Sequence, residues 1–130
     1  MILIALFYFC HNTIMKPTSK EVIEAVSNHC SHQLTLYKFN RGVLQISEKY
    51  REGRLTALEY IGELTFYYQQ EEKNLQQYLH DQILKQMQLY SCLDDTEYKQ
   101  GLYDALNDIL DYKKDFIERK IHQKKQTKFA

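Results

Sequence analysis

His29, Cys30 and His32 are the densest group of soft-metal ligand types in the chain. His29 and His32, three residues apart on a helix, project to one face where both can reach one ion, and Cys10 and His11 could complete the set. The spacing is loose, and the two histidines also continue the stripe of Val22 and Ala25 toward the solvated end of a helical seam, so no metal site is assigned. Glu59, Glu63, Glu71 and Glu72 invite comparison with helical di-iron proteins, which need a Glu-x-x-His element from each of two helices. No glutamate has a histidine three residues later, and Glu118 and His122 are four apart, so these carboxylates read as solvated helix faces. Cysteines, serines and histidines are present without a nucleophile motif or an oxyanion-hole signature, which gives no basis for an enzyme. Gly42, Gly53, Gly62 and Gly101 match neither GxGxxG nor GxxxxGK[ST], so no nucleotide or other cofactor is implied.

The aromatic composition is more informative. Eleven tyrosines and six phenylalanines occur with no tryptophan. Phe66, Tyr67 and Tyr68 are consecutive and turn by about 100° each on a helix, so they cannot all face one core stripe. Tyr68 shares its stripe with Ile61 and Leu64, whereas Tyr67 lies on the side of Tyr60 and Glu63. Tyr60, Phe66 and Tyr67 are therefore candidate protein-interface residues, since such rings bury much area at low rotamer entropy. A wide core that takes all three rings is the alternative.

Charge is arranged in blocks. Residues 16–54 carry +3, residues 59–111 carry −8 and residues 113–128 carry +5, for a formal net charge of zero. The basic tail, with Lys38, Arg41, Lys49, Arg51 and Arg54, offers a phosphate-binding surface, which makes a small nucleic-acid-associated protein the alternative function. Helix-turn-helix punctuation is missing, and nucleic acid is the less favoured partner.

The elements that carry these residues are helical. Four glycines and one proline in 130 residues are too few breakers for a sandwich or barrel of many short strands, and 44% hydrophobic with 26% charged residues is an ordinary globular composition. Thr18 and Glu21 have the spacing of a capping box. Val22, Ala25, Leu36, Phe39, Val43, Ile46 and Tyr50 keep helical steps, which predicts one helix to about residue 51 with a bend or break near Gly42. Gly53 predicts a left-handed helix end. Thr56 with Glu59, and the staple pair Leu55 and Tyr60, predict a second start. Ile61, Leu64, Tyr68, Leu75, Leu79, Ile83, Met87 and Tyr90 then run to about residue 93, some 37 residues or about 55 Å. Asp94 predicts the third N-cap, with Glu97 three residues later. Tyr98, Leu102, Ala105, Ile109, Tyr112 and Phe116 form a heptad seam widened by Leu106, Leu110 and Ile117.

The expected fold is all-α, an antiparallel bundle of three long helices with coiled-coil-like packing over residues 16–122, followed by a flexible basic tail at 123–130. Residues 1–15 form an apolar leader or an untranslated upstream segment, with Met15 an alternative start. The apolar run at 2–10 is about half a bilayer span and lacks signal-peptide features, so neither a membrane span nor export is expected. Three irregularly spaced cysteines suit a reducing, cytoplasmic compartment. The expected function is a non-enzymatic adaptor, regulator or chaperone-like module that binds another protein or forms a homo-oligomer, a dimer first. Deleting residues 1–14 is expected to leave the fold intact, because helix punctuation starts at Thr18. Loss of cooperative thermal unfolding in the truncated chain would contradict this.

Overall fold

A computed structural model describes residues 17–71 and 76–129, and side chains as far as residue 123. The leader at 1–15 and Leu75 lie outside the described residues. The described chain is all-helical, with four helices: α1 (Ser19–Phe39), α2 (Glu48–Gln69), α3 (Gln76–Tyr90) and α4 (Glu97–Phe129). None is long and apolar enough to cross a membrane.

The count of three helices is therefore corrected to four: the alternative of a break near Gly42 holds, and the expected second helix is divided into α2 and α3. Thr18 caps α1 as expected, its Oγ1 accepting from the Glu21 amide at 3.1 Å. α1 ends outright at Asn40, where a turn closes through Val43 and Leu44 amides onto the Asn40 carbonyl. Gln45 then takes a positive φ of 50°, and Ser47 caps α2 by accepting from the Tyr50 amide. The apolar register through this break was coincidental, since Phe39 and Val43 are 77% and 78% exposed. Arg51 secures the corner by donating from Nε to the Tyr37 carbonyl at 2.8 Å.

Gly53 does not end a helix: it is buried inside α2, with no positive φ. Thr56 is likewise mid-helix, its hydroxyl donating to the Glu52 carbonyl rather than capping. The expected long second helix stops at Gln69, two residues before Glu71, and α3 starts at Gln76; Glu72 lies outside the described residues. For α4 the capping side chain is Thr96, which accepts from the Lys99 amide at 3.3 Å, in place of Asp94. Lys99 Nζ ties the preceding turn together by donating to the carbonyls of Ser91 and Leu93 and to Asp95 Oδ1.

Cross-helix pairs set the topology. Tyr37 meets Arg51 while Cys30 and Leu34 lie beside Gly62, and Met87 meets Tyr103 while His80 lies by Lys113, so α1–α2 and α3–α4 run antiparallel; α2 and α4 cross where Tyr50 pairs with Asp104 and Thr56 with Tyr98. α2 and α4 make the most extensive contact, and α1 packs against both. α3 is held more loosely, reaching α2 through long side chains such as Gln86 to Tyr60 at 3.2 Å.

The α2–α4 crossing is a backbone contact. A Cβ on Gly53 would collide with the Tyr98 carbonyl oxygen, and one on Gly101 with the Tyr50 carbonyl oxygen. Around this crossing sits the core: Val22, Val26 and Cys30 from α1, Leu58 and Ile61 from α2, Leu79 and Ile83 from α3, and Leu102, Leu106 and Ile109 from α4. α4, not the second helix, is the long element: 33 residues, about 50 Å, against 22 in α2.

Candidate functional site

Three arrangements of side chains stand out, two of them between helices and one on the surface. The first joins α1 and α4. His29 Nε2 lies 2.8 Å from Asp108 Oδ2, an ion pair when the imidazole is protonated. The imidazole stacks on Tyr112 with ring centroids 4.0 Å apart and planes 8° apart, and Arg119 lies beyond that ring. Cys30, adjacent in sequence, turns into the core instead, where burial and then Asp108 push its thiol up to about 12. That thiol is protonated at neutral pH and is a poor nucleophile. His32 is exposed, so the three residues weighed as metal ligands point to three environments. Cys10 and His11 lie outside the described residues.

The second arrangement is a buried cation. Arg54 projects from α2 with its guanidinium carbon 4.5 Å from the Tyr37 ring centroid, and its Nη1 donates to Tyr50 Oη at 3.0 Å. Tyr50 in turn donates to Asp104 Oδ2 at 2.6 Å, and burial and this carboxylate push its phenol up. The Arg54 Nε has no hydrogen-bond partner among the described residues. This network takes Arg54 out of the basic surface group. Lys38 pairs with Glu59, and Arg41 and Arg51 both pair with Glu48, so the group is not a continuous positive face.

The third is the aromatic surface. Phe66 and Tyr67 are 62% and 60% exposed on α2, and Tyr78 near the start of α3 is 60% exposed at the same end of the bundle. Tyr67 meets Tyr68 with ring centroids 6.0 Å apart, and Tyr68 packs against the core. Burial pushes the Tyr68 phenol up, with Tyr60, Tyr67 and Tyr78 adding to the effect, which places these four rings in one neighbourhood. Tyr60 is half-buried and accepts from Gln86, so it forms the inner edge of the cluster.

Sequence reasoning missed Asp108, placed Arg54 on a basic surface rather than in the interior, and counted Lys113 only in the basic tail. Two of these carry a readable signal. Tyr50, Arg54, Ala57 and Ile61 step by four, three and four, and Lys113 follows Ile109 by four, so each cation occupies a core position of its helix. Lys113 is 8% exposed, and its Nζ lies 3.4 Å from His80 Nδ1 on α3. Burial lowers its pKa from the usual 10.5, opposed by Asp81. The folded state thus binds fewer protons than the unfolded one between the lowered value and 10.5, and stability rises with pH across that window. Lys113→Met removes the charged group, so the mutant is expected to melt at or above the wild-type temperature at neutral pH. The difference should shrink as the pH approaches 10.5, with the tyrosine titrations common to both proteins cancelling. A mutant less stable than wild type at pH 7, or a gap that widens with pH, would contradict the sign.

Among the described residues, an all-α fold of four packed helices with an exposed aromatic cluster is the class that fold and surface define. Comparison with protein families, curated proteins and solved structures finds no match to this chain.

Proposed function

We propose that the protein is a cytoplasmic, non-enzymatic interaction module that binds another protein, a second copy of itself included, through the surface of Phe66 and Tyr67 with Tyr60 at its inner edge. The observation that carries this reading is the exposure of the Phe66, Tyr67 and Tyr78 rings at one end of the bundle. Apolar rings in water are a standing cost, and a contiguous group of them recovers that cost only when covered. The exposed carboxylates Glu63 and Asp81 on the same two helices suit a partner with an apolar face and basic flanks. The heptad seam of α4, packed in a coiled-coil-like manner against α2, would hold the rings on a rigid base. Free thiols at Cys30 and Cys92 accord with a reducing compartment.

Size exclusion with light scattering, alongside a pull-down with the wild-type protein and the Phe66→Ser/Tyr67→Ser double variant, tests the reading. A dimer or a specific partner that is lost in the double variant, with the melt unchanged, supports it. A strictly monomeric wild type that captures nothing would overturn it.

A further inference from the structure

The side of the bundle where α3 meets α4 holds a cleft of about 390 Å³. Leu110 and Ile117, one helical face apart by seven residues, give it apolar lining from α4, and Gln76 and His80 line it from α3. Lys113 stands between the two apolar residues in sequence and lines the same cleft. It makes no ion pair within 4.0 Å among the described residues, and its recorded partner is the neutral-capable His80 ring at 3.4 Å. Lys113 is 8% exposed as a residue, its Nζ has a histidine ring rather than a carboxylate in contact, and Asp81 acts on it only at longer range, so an arriving anion would offset part of its desolvation. The depressed pKa of Lys113 from burial is the same cost expressed as proton affinity.

We propose that this cleft is a binding site for a small carboxylate bearing an apolar chain, the carboxylate on Lys113 Nζ and the chain along Leu110 and Ile117. The Gln76 amide and the His80 ring supply further hydrogen-bonding groups along the α3 wall. Asp111 and Glu118 also line the cleft, opposed by Lys114, and their charge disfavours a dianion such as phosphate while tolerating a single negative charge. This site is separate from the aromatic surface of Phe66 and Tyr67, so it stands or falls independently of the interaction reading.

Amide chemical-shift mapping with the full chain tests it, using octanoate as the probe and octylammonium, acetate and inorganic phosphate as comparisons. Octanoate is expected to give saturable shifts at Gln76, His80, Leu110, Lys113 and Ile117, with acetate and phosphate weaker because each lacks the apolar chain. Lys113→Met should weaken octanoate binding about tenfold or more, and Lys114→Met about twofold or less. Comparing octanoate with octylammonium on the wild-type protein keeps the test valid even if a variant folds poorly. Equal binding of the two would show that the cleft reads only the chain and would overturn the assignment. So would unsaturated shifts up to about 10 mM octanoate, or undiminished binding by Lys113→Met.

Discussion

Ile109→Asp leaves no cooperatively folded protein at 25 °C. Ile109 is fully buried at the centre of the α4 seam, beside Ala105, Leu106 and Leu102. Truncating such a side chain removes about 2–5 kcal/mol of packing on its own, and a buried carboxylate adds its desolvation. Lys113, one turn on, is the cation best placed to answer it, but drawing that ammonium into the core desolvates a second charge. The sum is comparable to the whole stability of a domain this size, about 5–15 kcal/mol. Circular dichroism through a thermal ramp is the check. A sharp transition near the wild-type temperature would show that the seam is not where the core lies.

Gly101→Ala is expected to destabilise the protein by about 1–3 kcal/mol, although helix propensity alone would stabilise it by about 1 kcal/mol. The sign is decided by what the added methyl meets. It overlaps the Tyr50 carbonyl oxygen and comes within 2.9 Å of the Arg54 amide nitrogen. Both belong to helical backbone, which cannot swing aside as a flexible side chain would, so α2 and α4 must separate at their crossing. Gly53→Ala meets the reciprocal obstacle at the Tyr98 carbonyl and should cost a similar amount. The double variant should cost less than the two single losses together, because one separation relieves both collisions. Gly42→Ala is the contrast: nothing lies within 4 Å of its Cβ and its φ is not positive, so a neutral or slightly stabilising effect is expected. Denaturant midpoints for the four variants check the pattern, and a stabilised Gly101→Ala would refute the backbone contact.

Much of the packing was legible in the residue pattern. The Thr18 cap lies where spacing placed it, as do Tyr98, Leu102, Ala105, Ile109 and Phe116 of the α4 seam and Ile61, Leu64, Tyr68, Leu79, Ile83, Met87 and Tyr90, whereas Tyr112 of that seam stacks on His29. The 100° geometry left open a wide core that takes both rings, and the exposure of Tyr67 beside a core-packed Tyr68 decides against it. Boundaries were less legible because local signals are degenerate. A threonine followed by glutamate at three residues is a capping box only at a helix start, and Thr56 is held inside α2 by the crossing at Gly53. That glycine serves close approach between helices rather than termination, a use that depends on α4 and has no local mark. Ser47 caps without a glutamate at the third position, so the true start of α2 left a weaker trace than the false one. The His29–Asp108 contact joins residues 79 apart in sequence, and no periodicity within either helix specifies it.

If Tyr67 belongs to the proposed contact surface and Tyr68 to the core, the association constant of Tyr67→Ala relative to wild type is the most direct readout. Sedimentation equilibrium, on the self-associating protein or on the complex with the captured partner, gives this quantity. The prediction is a weakening of about 1–2 kcal/mol, about 5- to 30-fold, at an unchanged melting temperature. Unchanged association would contradict it. So would a Tyr67→Ala protein that unfolds as severely as Tyr68→Ala, because both rings would then belong to one wide core and this face of α2 would not be an interaction surface.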